Sequence, residues 1–113
     1  MARFRSRRTY SRHSLQALKL FGALLRAARI EKKISVASLA ERVGISRDML
    51  YRIEKGDPRC EIGVVFEMAV ILGVPLFEPD ERALGRRVRE TEDRLALLPK
   101  AVHAPRDEVK DDF

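Results

Sequence analysis

The sequence predicts an all-α fold of five helices, and three observations predict it. Apolar residues recur at spacings of three and four through most of the first 98 residues. Most of these stretches open on a Ser or Asp suited to capping a helix and close on Gly or Pro. No stretch before residue 98 alternates as a strand does, and aromatics are only 6% with no Trp. A chain of 113 residues holds one compact domain plus short extensions. Its 45% apolar content is enough for a modest core and excludes disorder throughout.

The elements follow in order. Residues 1–13 are Arg/Ser-rich without periodicity and read as a disordered basic N-terminal arm. Ser14 caps a first helix running to about Lys32, with Leu15, Leu18, Phe21, Gly22, Leu25, Ala28 and Arg29 on one stripe. Ser35 caps a second helix, Val36 to Arg42, with Leu39 and Val43 inward, and Gly44 supplies the left-handed residue that ends it. Ser46 caps a third, Arg47 to Glu54, with Leu50 and Ile53 inward. Gly56, Asp57 and Pro58 form a turn. A fourth helix runs from about Ile62 to Leu72, stopped by Gly73 and Pro75, so this helical domain spans residues 14–78. Pro79 and the cap Asp80 open a fifth helix, residues 79–98, which Pro99 ends.

The apolar residues of that fifth helix, Leu84, Val88, Leu95 and Leu98, follow a 4–3 repeat with Thr91 in the gap. The stripe is as narrow as a coiled-coil seam. It either packs across a two-fold axis in a homodimer or folds back on helices one and four. Residues 99–113 form a short charged C-terminal tail, with an extended piece around residues 101–104.

Several function classes are excluded. One cysteine, Cys60, rules out an intramolecular disulfide framework and a cysteine-based zinc site, and fits a reducing compartment. It reads as a small apolar filler or poor cap near helix four. His13 and His103 are far apart in polar flanks, which leaves no basis for a histidine-centred metal or catalytic cluster. There is no general base in context and no Gly-rich phosphate loop. The expectation is a non-enzyme without metal or cofactor. No apolar run approaches the roughly 20 residues of a membrane span, and no signal-peptide cleavage pattern follows the basic start. A cytoplasmic location is expected.

The net charge of +6 suggests an acidic partner, but its distribution says more. Residues 1–13 carry Arg3, Arg5, Arg7, Arg8 and Arg12 and no acid, for +5. Residues 14–78 are +2 and residues 79–113 are −1. Nearly all of the excess therefore sits in the arm. Such an arm either follows a phosphate backbone or enters a minor groove, or it is only a solubilising tail.

The functional signal lies in Leu39, Ala40, Val43, Gly44, Ile45, Ser46, Leu50 and Ile53. Two helices crossing steeply need a small residue at closest approach, which Ala40 supplies. The turn needs positive φ, which Gly44 tolerates. Ile45 anchors the turn, and Leu50 and Ile53 face back toward the second helix. This is the helix-turn-helix arrangement, whose second helix can enter the DNA major groove.

On these residues the chain resembles the Xre, or lambda repressor-like, helix-turn-helix family. The match covers Leu20 to Arg26, Ser38 to Ser46, Tyr51 to Gly56 and Ala69 to Val74. The resemblance implies a five-helix DNA-binding domain acting as a dimer on two-fold symmetric operators, of bacterial or phage origin. By position it implies base contacts from Arg47, Asp48, Met49 and Arg52. Arg47 suits guanine O6 and N7, Asp48 cytosine N4, and Met49 a thymine methyl. It implies phosphate contacts from Ser46, Lys55 and Arg59, with Tyr51 on the same solvent face and Ser35 substituting for a Gln often found where this chain has Val36. Arg29 and Glu54 match a structural salt bridge between helices one and three.

The run Leu95 to Lys100 and the tail ending Asp111, Asp112 and Phe113 resemble small HipB-like antitoxins. That resemblance implies autoregulation of an operon and capture of a HipA-like kinase toxin, with the tail as docking peptide rather than frayed terminus. A transcriptional repressor on double-stranded DNA is the reading preferred here. The antitoxin, and a protein-docking module without specific DNA binding, are the alternatives. Asp48, Glu54 and Asp57 dilute the positive field and keep the last one open.

Overall fold

A computed structural model describes residues 9–102. It contains α1 (Arg12–Glu31), α2 (Val36–Val43), α3 (Arg47–Glu54), α4 (Ile62–Leu72) and α5 (Glu81–Leu97). Among the described residues there is no strand beyond bridge positions at Leu76 and Glu78. The chain divides into two compact units, one ending at Leu76 and one beginning at Phe77.

Local chemistry places most helix ends. The Ser35 and Ser46 hydroxyls accept from the amides of Ser38 and Met49, each at 3.0 Å, and so start α2 and α3. The Asp80 carboxylate accepts from the Ala83 amide at 2.8 Å and starts α5. Each cap satisfies an amide with no partner inside its helix. Gly44 ends α2 at φ 86, a conformation that costs a β-carbon-bearing residue about 1–2 kcal/mol. The amides of Gly44 and Ile45 both donate to the Ala40 carbonyl, at 2.8 and 2.9 Å, and close the turn.

The start of α1 corrects the expectation. Its cap is Ser11, not Ser14, so the helix begins at Arg12. The Ser11 hydroxyl accepts from the Ser14 amide at 3.1 Å, and the Leu15 amide reaches the Ser11 carbonyl at 3.1 Å. Two serines three residues apart offer the same local cap, and the earlier one gains an extra helical turn. Arg12 and His13 therefore belong to α1 and not to the arm. Residues 1–8, with Arg3, Arg5, Arg7 and Arg8, lie outside the described residues, as do residues 103–113 of the tail.

The core of the first unit is Leu25 of α1, Leu39 and Ala40 of α2, Leu50 and Ile53 of α3, and Met68, Ala69 and Leu72 of α4. α1 and α2 each pack on both α3 and α4. The largest of the fully buried side chains, Leu25, Leu39, Leu50, Met68 and Leu72, are each worth about 1.5–3 kcal/mol of transfer free energy. α1 approaches the end of α3 at Gly22. A β-carbon there would stand 2.5 Å from the Ile53 carbonyl oxygen and 2.6 Å from that of Glu54. The missing side chain lets the two backbones touch.

α4 begins after Glu61, which makes no side-chain cap bond. Cys60, just before it, is half-buried and packs against the core, and burial pushes its thiol pKa up. A raised pKa disfavours the reactive thiolate. α5 differs from the other four helices in that none of its residues is buried.

Candidate nucleic-acid interface

α3 has two sides. Leu50, Ile53 and Glu54 are buried, whereas Arg47, Asp48, Tyr51 and Lys55 are exposed. The exposed four lie at i, i+1, i+4 and i+8, so they form one stripe along the helix. Arg47 and Asp48 occupy its first turn, and no ion pair holds either of them among the described residues. Both donors and acceptors for a base edge are thus presented from a helix fixed in the core.

Met49 and Arg52, also expected at base edges, are less exposed than that stripe. Met49 is half-buried and packs against the hydrophobic cluster, a setting that suits a flexible thioether. Arg52 is half-buried and donates its Nε to Asp57 at 3.0 Å.

Asp57 organises the turn after α3. Its carboxylate also accepts from the Arg59 guanidinium, at 3.1 and 3.2 Å, and from the Arg59 amide at 2.9 Å. These bonds, with Arg59 first and Arg52 after it, hold the Asp57 carboxyl far below the usual carboxylate range. The Asp57 side chain is 11% exposed while that of Arg59 is 61% exposed. Asp57 thus acts as a shared counter-ion that sets the direction of two cations. Asp57, one of the three acids read from sequence as diluting the positive field, also orients these two cations.

Behind α3, Arg29 of α1 and Glu54 form a two-point ion pair. Nε reaches Oε2 at 2.7 Å and Nη2 reaches Oε1 at 3.2 Å. The third guanidinium nitrogen donates to the Ile34 carbonyl at 3.1 Å, which ties the α1–α2 loop to the same point. The hydrogen bond to Glu54 raises the Arg29 pKa further, so the group is a permanent cation. Arg26, 3.9 Å from Glu54, lies on the solvent side of this pair and was not singled out from sequence.

Arg26, Arg29, Val36, Tyr51, Glu54 and Lys55 line a groove of about 560 Å³. Its edge carries the cations Arg26 and Lys55 beside the first residue of α2. A helix N-terminus carries about half a positive charge, so this edge suits an anion such as a phosphate. The Ser35 and Ser46 hydroxyls are exposed, and each uses an oxygen lone pair in capping, which leaves its proton to donate.

This is a helix pair with a tight turn, a polar outward stripe and a cationic rim, the layout of a DNA-reading domain. A sequence model of the family described as helix-turn-helix domain matches residues 20–85. The chain belongs to that family of DNA-binding domains. No curated protein and no solved structure matches it. Among the described residues no helix is long and apolar enough to cross a membrane, and no three His, Cys, Asp or Glu side chains are grouped to hold a metal ion.

Proposed function

We propose that the protein is a sequence-specific transcriptional regulator, a dimeric repressor that inserts α3 into the major groove of a palindromic operator. The observation that carries this reading is the exposed stripe Arg47, Asp48, Tyr51 and Lys55 on a helix clamped from behind by Arg29 and Glu54. Arg47 and Asp48 read base edges. Ser35, Ser46, Lys55 and Arg59 take phosphates, and Arg26 joins them at the groove edge. Tyr51 contributes its phenol from the same face. The two cations Arg52 and Arg59 are held on one carboxylate, that of Asp57. The arm residues Arg3, Arg5, Arg7 and Arg8 add affinity without sequence information. Leu84, Val88 and Leu95 of α5, with Leu98 just past its end, join two copies.

Selection from random double-stranded DNA tests the reading. The expected outcome is an enriched palindrome whose half-sites are separated by about one helical turn, roughly 34 Å. Absence of any enriched sequence, with the folded chain confirmed by circular dichroism, overturns it in favour of a protein-docking module. The kinase-toxin partner implied by the antitoxin resemblance depends on residues 103–113, outside the described residues. Its test is a pull-down with and without residues 100–113.

A further inference from the structure

α5 leaves its apolar stripe uncovered, and its charges say what fits there. Val88, Leu95 and Leu98 are 49%, 60% and 52% exposed, and Leu84 is half-buried. In a heptad Leu84 and Thr91 take position d, and Val88 and Leu95 take position a, whereas Leu98, expected in the helix, is extended backbone just past its end and lies outside the repeat. Positions g are then Arg87 and Arg94, and positions e are Gly85 and Glu92. Each flank of the seam therefore carries one sign only. A groove of about 260 Å³ runs along this face, lined by Phe77, Leu84, Val88 and Thr91 with Arg87 and Glu92 among its walls.

From this we infer that α5 pairs with α5 of a second copy as a parallel two-stranded coiled coil, oriented by Arg87 of each chain against Glu92 of the other. The inference rests on the dimer of the proposed function and adds its geometry. In a parallel pair, position g of one helix faces position e of the other five residues on, and residues 87 and 92 are five apart. The two-fold axis makes this contact twice. An antiparallel pair would set g against g and e against e, bringing Arg87 and Arg94 toward cations and Glu92 toward its copy. β-Branched Val88 at position a beside Leu84 at d also favours two parallel strands.

A competing effect points the other way. Cations gather in the first half of α5, at Arg82, Arg86, Arg87 and Arg89, and acids in the second, at Glu90, Glu92 and Asp93. Antiparallel pairing would match those halves. Arg82, Arg86, Arg89, Glu90 and Asp93 fall at the outer positions b, c and f, however, where water and salt screen them over roughly a Debye length of 8 Å. The seam-flanking pairs are closer and decide the orientation. Arg87 also donates to Glu78 at 2.9 Å within its own chain, and its five donors serve two carboxylates.

Cysteine crosslinking of the full chain tests the geometry. In a Cys60→Ala background, Leu84→Cys and Leu95→Cys are each oxidised alone and as a mixture. Parallel pairing predicts that each variant crosslinks to itself and that the mixture adds no 84-to-95 product, because these layers lie about 16 Å apart along the axis. An antiparallel pair sets position d against position a, so crosslinks only between the two variants establish antiparallel pairing and overturn the inference. A dimer in sedimentation with no crosslink overturns α5 as the interface while sparing the dimer. A monomer at operator-binding concentrations overturns the dimer itself. Because cysteine variants can misfold, charge reversal in the native background is the second measurement. Glu92→Arg should weaken dimerisation about tenfold, and adding Arg87→Glu should restore it. Unchanged dimerisation in the single variant overturns the inference.

Discussion

Arg29 and Glu54 stand 25 residues apart in the chain and meet through two hydrogen bonds of 2.7 and 3.2 Å in the interior. Their contact joins α1 to the last residue of α3, and the same guanidinium holds the loop before α2. The angle at which α3 presents Arg47 and Asp48 depends on this point.

Glu54→Ala leaves a buried cation without its partner. Loss of one member of a buried pair costs about 3–5 kcal/mol. Chemical denaturation should show a drop of that size. Replacing both residues by leucine should recover most of it, because the desolvation cost disappears with the charges. A double variant as unstable as the single would mean that the pair is not what sets the cost.

Gly22→Ala places a methyl group against two backbone oxygens that cannot rotate away. α1 and α3 must separate, at a cost of about 1–3 kcal/mol or more. Thermal melting should fall clearly. DNA affinity should fall too, even at temperatures where the variant is folded, because the moved helix is the one proposed to read bases.

Asp57 predicts an acid dependence of stability. Its folded pKa lies below the unfolded value of about 3.9, so the folded state favours the carboxylate. The stabilisation is fully present above the unfolded pKa and is lost as pH falls toward the folded one. Asp57→Asn should therefore cost about 1–2 kcal/mol near neutrality, with the gap to the parent closing below about pH 4. A gap that persists unchanged to pH 2 would count against the charge as its cause. The variant should also weaken DNA binding through Arg52 and Arg59.

Two substitutions separate base reading from backbone contact. Arg47→Ala should cost about 1–3 kcal/mol on the selected operator and relax preference at one position. Lys55→Ala should weaken all sequences alike and reduce the salt slope by about 1. Deleting residues 1–8 should act as Lys55→Ala does, with a larger loss of slope. Fluorescence anisotropy at several salt concentrations reads all three.

Within the structure, what the sequence made legible is local. Ser35, Ser46 and Asp80 cap amides three residues ahead, and Gly44 and Gly73 adopt left-handed φ, so four helices begin and end near where the residues put them. Where two local choices were equal, at Ser11 and Ser14, periodicity did not decide between them. The pairing of Arg29 with Glu54 was available only through resemblance, since no spacing rule connects residues so far apart.

By itself, then, the sequence determined five helices, their apolar faces and the turn at Gly44, because caps, turns and periodicity act within about four residues. Only the tertiary structure decided that Gly22 is a point of helix contact, that Met49 turns inward, that Asp57 binds two arginines and that Arg26 stands beside Glu54. These depend on which surfaces exclude water from one another, and packing joins residues that the chain itself keeps apart.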